Sequence, residues 1–104
     1  MALVRWLKRK MESVEIKAIG SATGVHIKLP NADFLLIFGR KGYIMCGYLN
    51  MATAEKKGDA AAMVTGVASF EDVLAAKIVA VSSIGKVLGI REGMTGKDAL
   101  ALLS

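Results

Sequence analysis

Two side chains carry the chemistry to open a nucleophilic reaction, Cys46 and His26, and each is the sole residue of its type. Cys46 lies in the run Gly42-Tyr43-Ile44-Met45-Cys46-Gly47-Tyr48-Leu49-Asn50. It stands at the end of an expected strand, shortly before Asn50, an expected helix N-cap. A helix N-terminus can lower a thiol pKa and hold an oxyanion, and His26 is the one imidazole that could act as its base. The competing account is structural. A free cysteine in a central strand is commonly a small buried hydrophobe, and His26 falls opposite Glu15, where a surface ion pair suffices. The structural account is favoured for both.

Counting removes most other chemistries. One histidine and one cysteine leave no histidine pair, no CxxC and no four-ligand zinc set, so no metal site is expected. No two glycines stand two apart, so a GxGxxG fingerprint is absent. Gly96-Lys97 resembles the end of a phosphate-binding loop, but Arg91 occupies the place of its first glycine and Asp98 that of its Ser or Thr. No serine sits in a GxSxG elbow. The residues name no cofactor.

The chain has 104 residues, 54% of them hydrophobic and 22% charged, with a positive mean hydropathy of +0.47. That composition excludes disorder and fits one domain. It is also apolar for a monomer of 11.0 kDa, because a chain this short leaves roughly a third of its surface unburied. Fourteen Lys and Arg against nine Asp and Glu give +5. Residues 1–17 hold five basic and two acidic residues, among them Arg5, Lys8, Arg9 and Lys10. A basic terminus could meet an anionic partner, but the rest lacks the basic stripe with interleaved aromatics that nucleic-acid binding uses, so nucleic acid is not the expected partner. A lone cysteine fits a reducing cytoplasm, and no apolar run reaches the roughly 18 residues of a membrane span.

The elements that would position Cys46 and His26 follow from pattern. Val14–Ile19 and Ala22–Leu29 flank Gly20-Ser21, a pair suited to a type II′ turn. Pairing Ile19 with Ala22 sets Ile16 against Val25, Val14 against Ile27 and Glu15 against His26. One face is then aliphatic (Val14, Ile16, Val25, Ile27) and the other polar. Phe34–Phe38 and Tyr43–Cys46 form a second hairpin, apolar on both sides, as in the middle of a covered sheet. Asn50 opens a helix over Met51–Lys57 that Gly58 stops. Ala60–Thr65 reads as a strand, Ser69-Phe70-Glu71-Asp72 as a capping box opening a helix to about Ala75, and Lys77–Val81 as a strand. Ser82 or Ser83 starts a helix to Leu88 with a Schellman end at Gly89-Ile90. Thr95 caps a last helix. The order is ββββαβαβαα, an α+β domain with a mixed sheet over residues 14–104, behind a basic extension over residues 1–13.

The Gly42–Asn50 block, together with Leu29-Pro30, Gly58-Asp59-Ala60-Ala61-Ala62, Thr65-Gly66-Val67 and Gly93-Met94-Thr95-Gly96-Lys97-Asp98-Ala99-Leu100, resembles the YunC-like family of small uncharacterised bacterial and archaeal proteins. The resemblance spans roughly Val14 to Leu103. It implies a two-layer α/β sandwich whose N-terminal β region mediates tetramer formation, and it implies no established activity. The expectation is a cytoplasmic, homo-oligomeric module, non-enzymatic or at least of uncharacterised activity, most simply a tetramer and otherwise a dimer, with Val14, Ile16, Val25 and Ile27 at the interface. A small-molecule protein or enzyme using Cys46 is the alternative. Binding of nucleic acid or another anionic partner through the basic N-terminus is a weaker one.

Overall fold

The computed structural model describes residues 13–104; the basic extension lies outside them except for Ser13. The chain runs β1 (Val14–Ile19), β2 (Ala22–Lys28), β3 (Asp33–Phe38), β4 (Gly42–Met45), α1 (Met51–Lys57), β5 (Ala60–Met63), α2 (Phe70–Ala75), β6 (Ala80–Val81), α3 (Ser83–Val87) and α4 (Gly96–Leu103). The strands form one six-stranded sheet in sequence order, β1 to β6. It is mixed: β4 and β5 are parallel across the α1 crossover, and the other neighbours are antiparallel. This is the expected α+β fold and element order.

The first hairpin keeps the register set by its turn, with Ile16 opposite Val25, Val14 opposite Ile27 and Glu15 opposite His26. Gly20 has φ +60°, and among the described residues every positive φ belongs to a glycine. Ser21 therefore has negative φ, which selects II′ over I′.

The core lies between one face of the sheet and helices α2 and α4. Leu35, Ile37, Ile44, Ala60 and Ala62 pack there against Phe70, Val73, Ala99, Leu100 and Leu103. A smaller cluster occupies the reverse face, where Ala54 of α1 meets Met45 and Ala61. Two glycines permit these approaches. A Cβ on Gly42 would run into the carbonyl of Ala60, and one on Gly96 into the carbonyl of Val73.

The caps form at the expected residues. Asn50 Oδ1 accepts from the N–H groups of Ala52 and Thr53, Ser82 Oγ from Gly85, and Thr95 Oγ1 from Asp98. At the end of α3, Gly89 N–H donates to Lys86 and Ile90 N–H to Gly85, the two bonds of a Schellman motif. Ser69 caps α2 through Asp72 N–H, but the Asp72 carboxylate accepts from Ala68 N–H, one residue ahead of a regular capping box.

Three boundaries differ from expectation. Lys77 only bridges to Thr95, and Ile78 exchanges hydrogen bonds with Met94 and Gly93, so the strand expected from Lys77 narrows to Ala80–Val81. The Val79 N–H still donates to the Met63 carbonyl of β5, while the neighbouring Ile78 turns its backbone groups to the loop before α4. The strand expected over Ala60–Thr65 ends at Met63. β4 ends at Met45, because the Cys46 carbonyl turns away to accept from Leu49 N–H.

Candidate functional site

Cys46 and His26 occupy one level of the sheet but are not brought together. His26 is opposite Leu35 across β2 and β3, and the Cys46 N–H donates to the Leu35 carbonyl. A whole strand separates them, about 10 Å at two interstrand spacings, so the imidazole cannot take the thiol proton. Cys46 is 3% exposed and belongs to the core cluster beneath α2 and α4, whereas α1 lies on the reverse face. The N-terminus of α1 thus has no thiol to polarise.

The thiol has a different task. Its Sγ accepts the Leu35 N–H at 3.3 Å. In a regular antiparallel ladder the carbonyl of Cys46 would take that proton. Here the backbone leaves the sheet at this residue and the side chain supplies the acceptor instead.

His26 is held by a partner that the hairpin register alone did not indicate. Its Nε2 lies 2.8 Å from Asp33 Oδ2, while Glu15 Oε1 stands 3.9 Å from Nδ1. The ring meets Phe70 edge-on, with centroids 5.7 Å apart. Asp33 faces Lys28 at the start of β3, which places it diagonally beside His26 on the same face. Working the register through the Leu29–Ala32 connection was the signal that could have found it. The three groups tie β1, β2 and β3 together on the polar side. Among the described residues no group of three or more His, Cys, Asp or Glu is placed to hold a metal ion.

The open concavity of interest is on the reverse face. A trough of about 450 Å³ runs between α1 and the sheet, floored by Leu36 and Met45 and walled by Thr53, Ala54 and Lys57 of α1. At one end the Tyr43 hydroxyl donates to Asp59 Oδ2 at 2.7 Å. Burial, then the hydrogen bond and charge of Asp59, push the Tyr43 phenol up to about 12, so at neutral pH it stays a proton donor. Leu36, Tyr43 and Asp59 also line a second depression of about 420 Å³ toward Arg40, Lys41 and Ile84. The parallel register brings the pair close, Tyr43 facing Ala61 two residues beyond Asp59.

Beyond the trough, β1 to β3 carry no charge on this face. Val14, Ile16, Val25, Ile27, Leu36 and Phe38 share it, while Glu15, Lys17, His26, Lys28 and Asp33 point to the other side. Ile16 is 71% exposed, and Val14 and Phe38 are each 41% exposed. Tyr48, at the mouth of the trough, is 51% exposed. The four residues expected at an interface thus lie together on an open face.

A family described as a domain of unknown function (DUF1805) matches residues 45–103. The uncharacterised protein YunC of Bacillus subtilis is 37% identical over 82 residues, which is 75% of this chain and 81% of that protein. A crystal structure of a protein of unknown function from Thermoplasma acidophilum superposes with a TM-score of 0.80 and 39% identity, over 88% of this chain and 91% of the other.

Proposed function

The chain belongs to the YunC-like family of proteins of unknown function, the one whose DUF1805 domain it carries, and on that footing we propose that it works as a homo-oligomeric α/β module of the cytoplasm, assembled through β1 and β2. The observation that carries the reading is the segregation of charge on the hairpin. Every charged side chain of β1 to β3 lies on one face of the sheet, and the other is uncharged and leaves Val14, Ile16 and Phe38 exposed. No charged side chain of β1 to β3 lies on that face, so contact there brings no strand charges of like sign together. Among the described residues β1 is the edge strand of the sheet, with a neighbouring strand on one side. A tetramer requires a second contact, and the far end of the molecule offers one: Val79, Ile84 and Val87 are 49%, 44% and 80% exposed.

A cytoplasmic location is supported by the single cysteine, buried and free. No helix among the described residues is long and apolar enough to cross a membrane. Light scattering on the purified chain tests the assembly, and Ile16→Asp tests its site, since a charge in an apolar interface is costly. The assembly should fall apart or the variant fail to reach a soluble fold.

A further inference from the structure

We propose that the trough between α1 and the sheet binds an apolar α-amino acid, with its ammonium group on Asp59, its carboxylate among Lys57, Arg40 and Lys41, and its side chain over Leu36 and Met45. This goes beyond the oligomeric reading and does not depend on it. The charged groups belong to the β3–β4 loop and to the end of α1 with the turn into β5, on the other side of β3 from the first hairpin.

Asp59 is the fixed point of the site. Its N–H donates to the Ala54 carbonyl at 3.0 Å, its carbonyl accepts from Ser82 Oγ at 2.7 Å, and its Oδ2 accepts from the Tyr43 hydroxyl at 2.7 Å. A group held on three sides meets a ligand at little ordering cost. Its Oδ1 takes no hydrogen bond from the described residues, and no buried side-chain oxygen among them lacks a partner. Oδ1 is therefore open to solvent. The ion pairs among the described residues belong to His26, so Asp59 and the cations near it are not neutralised within them.

The surrounding charges decide what kind of molecule fits. Lys57 and Asp59 line the trough together, and Arg40 and Lys41 line the second depression, which shares Leu36, Tyr43 and Asp59 with it. An amine without an acid group would meet Asp59 but face three cations. A simple carboxylate would meet the cations but face Asp59. A zwitterion with both groups on one carbon satisfies both signs, each through a charge-assisted hydrogen bond. The rest of the trough selects an apolar body. Leu36 and Met45 form its floor, and Tyr48 stands exposed at its mouth, where its ring can lie against an aromatic side chain. The volume of about 450 Å³ falls within the roughly 300–1,000 Å³ of small-molecule sites, which combine apolar walls with a few placed polar groups.

An NMR titration of the full chain with L-phenylalanine, followed through the backbone amides, tests the site. The probes 2-phenylethylamine and 3-phenylpropionate each lack one of its charges. L-Phenylalanine should give saturable shifts in residues 43–45 and 48–59, which line the trough. Each single-charge probe should bind about tenfold more weakly, the loss of one charge-assisted hydrogen bond. Asp59→Asn should weaken L-phenylalanine by a similar factor and leave 3-phenylpropionate no weaker. Lys57→Gln alters an exposed side chain and keeps the test open should the Asp59 variant fail to fold. It should weaken L-phenylalanine about two- to fivefold, as for an exposed ion pair, and leave 2-phenylethylamine no weaker. Shifts that do not begin to saturate by about 10 mM, beyond the millimolar range of even a weak site, overturn the proposal. So do shifts indifferent to both substitutions, and so does a single-charge probe that binds as tightly as L-phenylalanine.

Discussion

Replacing Cys46 with alanine removes the acceptor that ends the β3–β4 ladder. The Leu35 N–H lies in a fully buried residue and donates to Sγ at 3.3 Å. The Cys46 carbonyl is engaged with Leu49 N–H, and the methyl of alanine offers nothing in place of sulfur. A buried donor left without a partner costs about 1–3 kcal/mol. Lost packing of the sulfur adds about 1 kcal/mol, on the scale of one buried methylene. The sum, about 2–4 kcal/mol, is a large share of the roughly 5–15 kcal/mol that holds a domain together. It corresponds to a drop in Tm of roughly 10–25 °C at this size. Thermal and urea unfolding of the Cys46→Ala variant beside the parent, at equal protein concentration, would measure it. Amide exchange at Leu35 should accelerate along with the loss. The native thiol should also resist a bulky alkylating reagent and react after denaturation. A variant within about 0.5 kcal/mol of the parent, the scatter of ordinary surface changes, would refute the reasoning, and rapid native alkylation would make Cys46 a reactive group again.

Thr95→Ala removes the side chain that caps α4 and should cost about 1 kcal/mol in thermal unfolding without altering assembly; a neutral result would mean that the cap contributes nothing. Tyr43 should ionise near pH 12 in an ultraviolet titration, and Tyr43→Phe should delete that late component. Because its folded-state pKa is raised, the Tyr43 contribution to stability is fully present below pH 10, the ordinary phenol value, and is lost as the pH rises from there through about 12. Stability falling equally in the Tyr43→Phe variant over that window would assign the effect elsewhere.

What the sequence conveyed is what local rules control. The Gly20-Ser21 turn and the alternation beside it fixed the register of Val14, Ile16, Val25 and Ile27, because a one-residue slip would have turned every aliphatic side chain to the polar face. Asn50, Ser69, Ser82 and Thr95 marked helix starts through side-chain oxygens that act within three residues. The contacts that were not legible span the sheet. Tyr43 and Asp59 are 16 residues apart and meet only because α1 returns the chain parallel to β4. Asp33 reaches His26 through a register that the Leu29–Ala32 connection sets, and no short motif announces it. The role of Cys46 depends on where β4 leaves the sheet, and helix and strand boundaries are what pattern resolves least well. The recognisable Gly42–Asn50 block has a physical reading throughout most of its length: Gly42 admits the Ala60 carbonyl, Tyr43 holds Asp59, Ile44 and Met45 fill opposite faces, Cys46 ends the ladder and Asn50 caps α1. Tyr48 is the large side chain of the block left exposed.

Subunit contact through the uncharged face of the N-terminal hairpin is measured by light scattering or sedimentation across the micromolar range, on the parent chain and on Ile16→Asp. The parent should have a mass near four subunits of 11.0 kDa, or at least two, and the Ile16→Asp chain should be smaller or insoluble. A parent that remains a stable, soluble monomer throughout that range, with Ile16→Asp indistinguishable from it, would contradict assembly through this face.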